Sequence, residues 1–241
     1  MSKPKKPKFS DWLQQSLQLL GRLPWMWAGY ALFVGVLLVV GRISPALGIF
    51  SAVTSLFLGV GLAKYSDLKT SSEHPVNFYW AVNKSLPLAV IAAGSIVVCW
   101  FVFMAIACLL AGEADKIPQF FFHWELTAEH FNRQSTREIA DWIYSYANVA
   151  LIFTLLMQNS FIGWFTHPLM LFNDARFSQA KEQSQRAVSK NQQAIYKLLG
   201  FIFVEAVLCT TVTPLLTPVL YVLVSVMMYV SYKSIFELKP S

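Results

Sequence analysis

Apolar residues along this chain gather into six runs separated by short polar stretches. The first spans Leu23 to Ile43 and ends at Ser44-Pro45; the second, Ala46 to Ala63, stops at Lys64. The third covers Pro87 to Ala111, and the fourth begins near Trp142 and continues to Phe172. The fifth runs from Tyr196 to Leu216. After Thr217-Pro218 the sixth reaches Tyr232, and it extends through Phe236 if Lys233 snorkels. About 20 apolar residues in a helix cross a ~30 Å hydrocarbon core. All the runs reach that length except the second and sixth, which are shorter. Helices follow rather than strands, because lipid offers no partner to an open sheet edge.

The pattern predicts an all-α polytopic membrane protein, a single domain over residues 9–236. Its spans are expected at about 23–43, 46–63, 87–111, 142–172, 196–216 and 218–236. Basic residues 1–8 and residues 237–241 form short tails. An outer loop covers 112–141, and cytoplasmic loops cover 64–86 and 173–195. Within the outer loop, Ser135 followed by Glu138 has the spacing of a capping box. The helix it starts is expected to run unbroken from Thr136 to Phe172, on the order of 55 Å at 1.5 Å per residue.

An internal pattern groups the spans into three helical hairpins, each preceded by a cytoplasmic amphipathic helix. Phe9-Ser10, Gln15-Ser16 and Arg22 recur at constant offset as Phe177-Ser178, Gln183-Ser184 and Lys190. Tyr65-Ser66-Asp67-Leu68 after the first pair of runs is echoed by Tyr232-Lys233-Ser234-Ile235 after the last. Leu23-Pro24 before the first span is echoed by Leu86-Pro87 before the third. The first amphipathic helix places Phe9, Trp12, Leu13, Leu17, Leu20 and Leu23 opposite Asp11, Gln14, Gln15, Gln18 and Arg22, which suits the inner membrane interface. The copy from Ser178 to Gln193 is far more polar. It is expected to be solvated, or to dock another membrane or cytoplasmic protein through residues 177–193.

Composition supports the bilayer. Apolar residues make up 56% and charged residues 13%, about half the usual charged share. A water-soluble fold so poor in charge would expose aggregating apolar patches. Of the 19 Lys and Arg, fifteen fall on the side of both termini; Arg42, Lys116, Arg133 and Arg137 fall on the other. This bias predicts an inner-membrane protein with both termini in the cytoplasm. The net charge of +6 does not point to nucleic acid, because the basic residues sit between apolar runs, facing lipid headgroups. The Lys-rich start precedes an amphipathic segment and then a run too long for a signal core, so an uncleaved chain is expected.

The Leu23-Pro24-Trp25 entry, the segment from Pro168 through Ala187 and the closing Ser231-Tyr232-Lys233-Ser234-Ile235-Phe236 carry a family resemblance. The chain resembles uncharacterised bacterial six-span inner-membrane proteins related to the membrane domain fused to some glycerophosphodiester phosphodiesterases. The polar stretch Ser189 to Gln193 departs from that pattern, where an aromatic entry to the fifth span is expected. The resemblance implies topology and brings no catalytic residues.

Candidate chemistry is sparse. Glu205 lies eight residues past Lys197 and nine before Pro214, roughly 12 Å into the core. A mid-membrane carboxylate is costly and points to a proton or cation site. Gln158 and Asn159, Ser95, Thr54-Ser55 and Ser225 lie at similar depth and could join it in one polar plane. The plainer reading, favoured here, is a clasp: neutral Glu205 bonded to Gln158 or Asn159, holding two helices together for about 1 kcal/mol. His123, Glu125, Glu129 and His130 match no usual metal-ligand spacing, so no metal is expected. His167-Pro168 reads as an interfacial end to the fourth span, and a haem or quinone role would want a second intramembrane His. Cys99, Cys108 and Cys209 form no CxxC pair and read as small buried hydrophobes. With no GxSxG, HExxH or phosphate-cradling glycine loop, neither enzyme nor cofactor is expected. A non-enzymatic protein that scaffolds or assists an envelope process is the preferred expectation; a small transporter or channel centred on Glu205 is the alternative.

Overall fold

The computed structural model describes residues 8–71, 78–122 and 135–237, and among these every regular element is helical. The helices are α1 (Phe9–Arg22), α2 (Pro24–Val39), α3 (Pro45–Ser71), α4 (Phe78–Ala111) and α5 (Thr136–Met157). They continue with α6 (Thr166–Asn173), α7 (Phe177–Lys190), α8 (Gln192–Thr211) and α9 (Thr217–Tyr232). Five of these stretches are long and apolar enough to cross a membrane, and the bent pair α5–α6 makes a sixth if it counts as one span. The His and Glu residues between 123 and 130 lie outside the described residues.

Proline sets several helix starts. Pro24 and Pro218 sit in the first turns of α2 and α9, where a missing N–H costs nothing because those donors have no partner inside the helix. Leu23, at φ −133° and ψ 63°, is the joint that lets α1 turn into α2. Pro87 behaves differently from its expected role at the start of a span. It lies inside α4, which begins at Phe78 and runs 34 residues.

α3 is the axis of the bundle: α2, α4, α5 and α9 all pack on it. Burial is divided unequally. In α3 and α9, 89% and 78% of the apolar window is buried; in α4 the share is 17%, and in α2 and α8 it is 33%. A central pair is thus wrapped by helices whose outer faces stay apolar and open, with Leu32, Phe103 and Leu110 each more than 70% exposed. That surface is suited to lipid and unsuited to water.

Small residues set the approach of the central helices. A Cβ built on Gly59 would lie 2.5 Å from Ser225 Oγ, and one on Gly61 would lie 2.6 Å from Ser85 Cβ. Close backbone approach through Gly and Ser is how helices associate where burial from water gives no driving force. Ser225 also hydrogen-bonds the Leu56 carbonyl across this interface at 2.7 Å. Asn148 on α5 donates to Thr217 on α9 at 3.1 Å.

The expected unbroken helix from Thr136 to Phe172 does not form. Its start is as read: Ser135 and Glu138 make the reciprocal capping box. The helix then passes into a π-turn at Gln158–Ile162, breaks at Gly163, and resumes as α6 at an angle of 76°. Gly163 has φ 103°, a conformation closed to ordinary L-residues, and a Cβ there would lie 2.6 Å from Ser184 Oγ. The Ser184 hydroxyl accepts from the Phe165 amide at 2.8 Å, one of the donors that the break leaves without a helical partner. α7 therefore does not stand free in solvent. Its Ala180, Ser184 and Ala187 are buried against the body it caps.

Candidate functional site

The polar residues expected in one plane separate into three groups. Ser225 belongs to the closed α3–α9 interface, with its hydroxyl shared between the Leu56 and Tyr221 carbonyls. Glu205 is half-buried on α8, and no hydrogen bond joins it to Gln158 or Asn159. Gln158 and Ser95 come together: both line a cavity of about 160 Å³ between α4 and the break in the fourth span. Ser95 itself bonds back to the Ile91 carbonyl at 2.9 Å, as intramembrane serines commonly do. Asn159 follows Gln158 on the π-turn, and its Oδ1 is buried with no hydrogen-bonding protein group.

The cavity is built by the break. The π-turn carries Gln158 and Ile162 to one wall, and the restart at Thr166 brings Thr166, His167 and Met170 to another. Phe57 of α3 forms the floor, and Leu88, Ile91, Ala92 and Ile96 of α4 form the far side. His167 is 5% exposed, and its ring stacks on Phe57 at 4.1 Å. Gln158 is 2% exposed. Neither ring nitrogen of His167, nor Oε1 of Gln158, receives a hydrogen bond from any protein group. A buried polar atom left so costs about 1–3 kcal/mol, so two such side chains on one cavity are an expense that packing does not explain.

A second polar cluster lies at the end of the bundle where α1 meets the last turn of the chain. Asp67, at the end of α3, accepts from the Tyr229 hydroxyl at 2.6 Å and pairs with Lys233; the Arg22 guanidinium stands 3.6 Å away. Around it Trp12 donates to Ser234 at 2.6 Å, Tyr232 to Asn173 at 2.6 Å, and Trp164 to Ser231 at 3.1 Å. These bonds tie α1, α3, the fourth-span break and α9 into one layer in which each named side chain is satisfied. It serves as a structural lock.

A third feature at this end is a broad groove of about 630 Å³ lined by Lys8, Lys190 and Lys197 with Ser10, Asn191 and Gln193. Outside the apolar spans, the Ser135 amide and hydroxyl hold the Glu138 carboxyl below its ordinary range. No cluster of three or more His, Cys, Asp or Glu residues able to hold a metal occurs among the described residues.

The described residues are helical in every regular element, with five or six membrane-length apolar helices, a tightly packed centre and a largely apolar cavity at the fourth-span break. Comparison with protein-family models, with curated proteins and with solved structures finds no match for the chain.

Proposed function

We propose that the chain is a non-enzymatic integral protein of the inner membrane, with both termini in the cytoplasm, that scaffolds or assists an envelope process. The observation that carries this reading is α7. A polar helix exposing Gln179, Glu182, Gln183, Gln185 and Arg186 is packed by its small residues over one end of an otherwise apolar body. Fixing a 14-residue polar element costs conformational entropy that its own few buried small side chains return poorly. A protein surface that reads this face offsets the cost, as rigid presentation reduces what is lost on binding. The broad lysine-rich groove beside it would suit anionic headgroups, which supports placement at the inner leaflet.

The alternative of a small transporter or channel centred on Glu205 draws less support. Among the described residues Glu205 makes no ion pair or hydrogen bond, and the Gly59–Ser225 and Gly61–Ser85 contacts pack the centre of the bundle tightly.

The test is site-specific photo-crosslinking in cells. A photoreactive residue at Gln179 or Gln183 is expected to capture one discrete protein band that survives mild detergent extraction. The same residue at lipid-facing Phe103 or Leu110 captures none. A clean monomer with no adduct from any α7 position contradicts the proposal. For the alternative, Glu205→Gln is expected to leave cellular function unchanged.

A further inference from the structure

The groove where α1 and α8 begin carries a charge that no described residue balances. Lys8, Lys190 and Lys197 line it together with Ser10, Asn191 and Gln193, and no acidic side chain does. All three lysines are exposed, and none makes an ion pair with a described residue. Other lysines are paired: Lys64 with Glu237, Lys84 with Asp174 and Lys233 with Asp67. Three like charges around one concavity repel each other and raise the local concentration of anions. The groove also holds the first turns of α1 and α8, and neither start has a side-chain cap. Asn191, at the α8 start, donates instead to the Ala187 carbonyl at 2.9 Å. First-turn amides have no acceptor within their own helix, so they add donors to the field set by the lysines. The Phe9 and Phe201 rings, 5.5 Å apart, hold the α1 wall against α8.

Position selects the anion. After Lys197, α8 presents Gly200, Val204 and Val207 at successive steps of three or four residues, so all four share one side of the helix. Val204 and Val207 are 54% and 40% exposed, and a Cβ built on Gly200 would meet nothing within 4 Å. From Lys197 to Val207 the helix advances about 15 Å at 1.5 Å per residue, half of a ~30 Å hydrocarbon core. A cationic groove thus stands at the head of an open apolar track one leaflet deep. A soluble anion makes no use of that track, whereas a phosphate carrying acyl chains uses both parts. We infer that the groove binds the phosphate of an anionic phospholipid of the inner leaflet, with an acyl chain lying along α8 past Gly200. The inference rests on the membrane orientation of the proposed function and is independent of its scaffolding role.

The experiment uses the full-length chain in phosphatidylcholine nanodiscs doped with one of two diazirine probes, a phosphatidylglycerol or a phosphatidylcholine with the same acyl chains. The photoreactive carbon lies close to the glycerol. The phosphatidylglycerol probe is expected to label peptides around Lys8 and from Lys190 to Val204, saturably, with suppression by excess unlabelled phosphatidylglycerol. Added salt is expected to weaken it, because the lysines are exposed and their field is screened. The phosphatidylcholine probe is expected to label every lipid-facing helix without saturation. A lysine near the membrane surface contributes about fivefold to the binding of anionic lipid. Combining Lys8→Gln, Lys190→Gln and Lys197→Gln is therefore expected to raise the half-saturating phosphatidylglycerol content about a hundredfold. Removing the same charge outside the groove, through Lys69→Gln, Arg176→Gln and Lys181→Gln, is expected to change it far less. Equal saturation by the two probes, or equal loss in the two triple variants, overturns the inference and leaves only diffuse surface charge. Competition by inorganic phosphate as effective as by phosphatidylglycerol also overturns it, in favour of a soluble anion. Nanodiscs present the same lipid to both faces and contain no partner protein, so this result stands apart from the α7 crosslinking, and either reading can fail alone.

Discussion

The α3–α9 interface and the break between α5 and α6 are both buried, both rich in small or polar residues, and built on opposite terms. At the interface, Gly59 admits Ser225 to contact distance, as Gly61 admits Ser85 between α3 and α4, and the Ser225 hydroxyl is satisfied. At the break, a glycine with positive φ bends the chain by 76° and leaves Gln158 and His167 with unpaired polar atoms around a cavity. Local stability and local purpose part company here. The first region stabilises the bundle. The second is a cost carried by it, and such costs concentrate where a protein binds something.

The largest effect is expected from Gly59→Val. Its side chain would overlap Ser225 between two helices that cannot separate without unpacking the core, at about 3 kcal/mol. Thermal unfolding in detergent is expected to shift sharply downward, and a Ser225→Gly partner to restore part of the loss. Next is Gly163→Ala, which strains a left-handed backbone by about 1–2 kcal/mol and also strikes Ser184. In this case Ser184→Gly relieves the clash but not the backbone, so a double-mutant cycle returns only partial coupling.

Asp67→Asn keeps the Tyr229 contact and loses the ionic pairing to Lys233 and Arg22. Because Lys233 and Arg22 are partly exposed, about 1–2 kcal/mol is expected, read as greater protease access at the α1 end. The smallest effect belongs to the capping box. Glu138 is held below its ordinary range by Ser135, so its stabilisation is present above the unfolded carboxylate range and is lost as pH falls through the lowered folded value. Amide exchange in the first turn of α5 is expected to accelerate on acidification, corrected for intrinsic rates, and to lose that dependence in Glu138→Gln.

Different parts of this molecule were readable from sequence to different depths, for physical reasons. Membrane-length helices are legible because an apolar run must satisfy its backbone within itself, so its length alone carries the information. The Ser135–Glu138 cap is legible because its two partners are three residues apart. The expected continuous fourth helix fails at Gly163, which packs without room for a Cβ against Ser184, a residue distant in sequence. The polar plane around Glu205 was a statement about depth, which sequence gives. Meeting also requires that side chains face one another around each helix axis, which depth does not give. Only Gln158 and Ser95 of that set share a cavity, and His167, read from the sequence only as the end of a span, joins them there. Its signal was present in a polar pair, Gln158-Asn159, close before the Gly163-Trp164 step in an otherwise apolar run.

Thermal unfolding of three chains in matched nanodiscs tests the contrast between the two regions most directly. Ser225→Ala, which removes a satisfied bond at a close contact, is expected to lower stability by about 1 kcal/mol. Gln158→Leu combined with His167→Phe, which replaces unpaired polar atoms by apolar groups of similar size, is expected to hold or raise it by a similar amount. If the double substitution instead destabilises the chain as Ser225→Ala does, the polar groups of the break are part of its structural framework and the division drawn between the two regions is wrong.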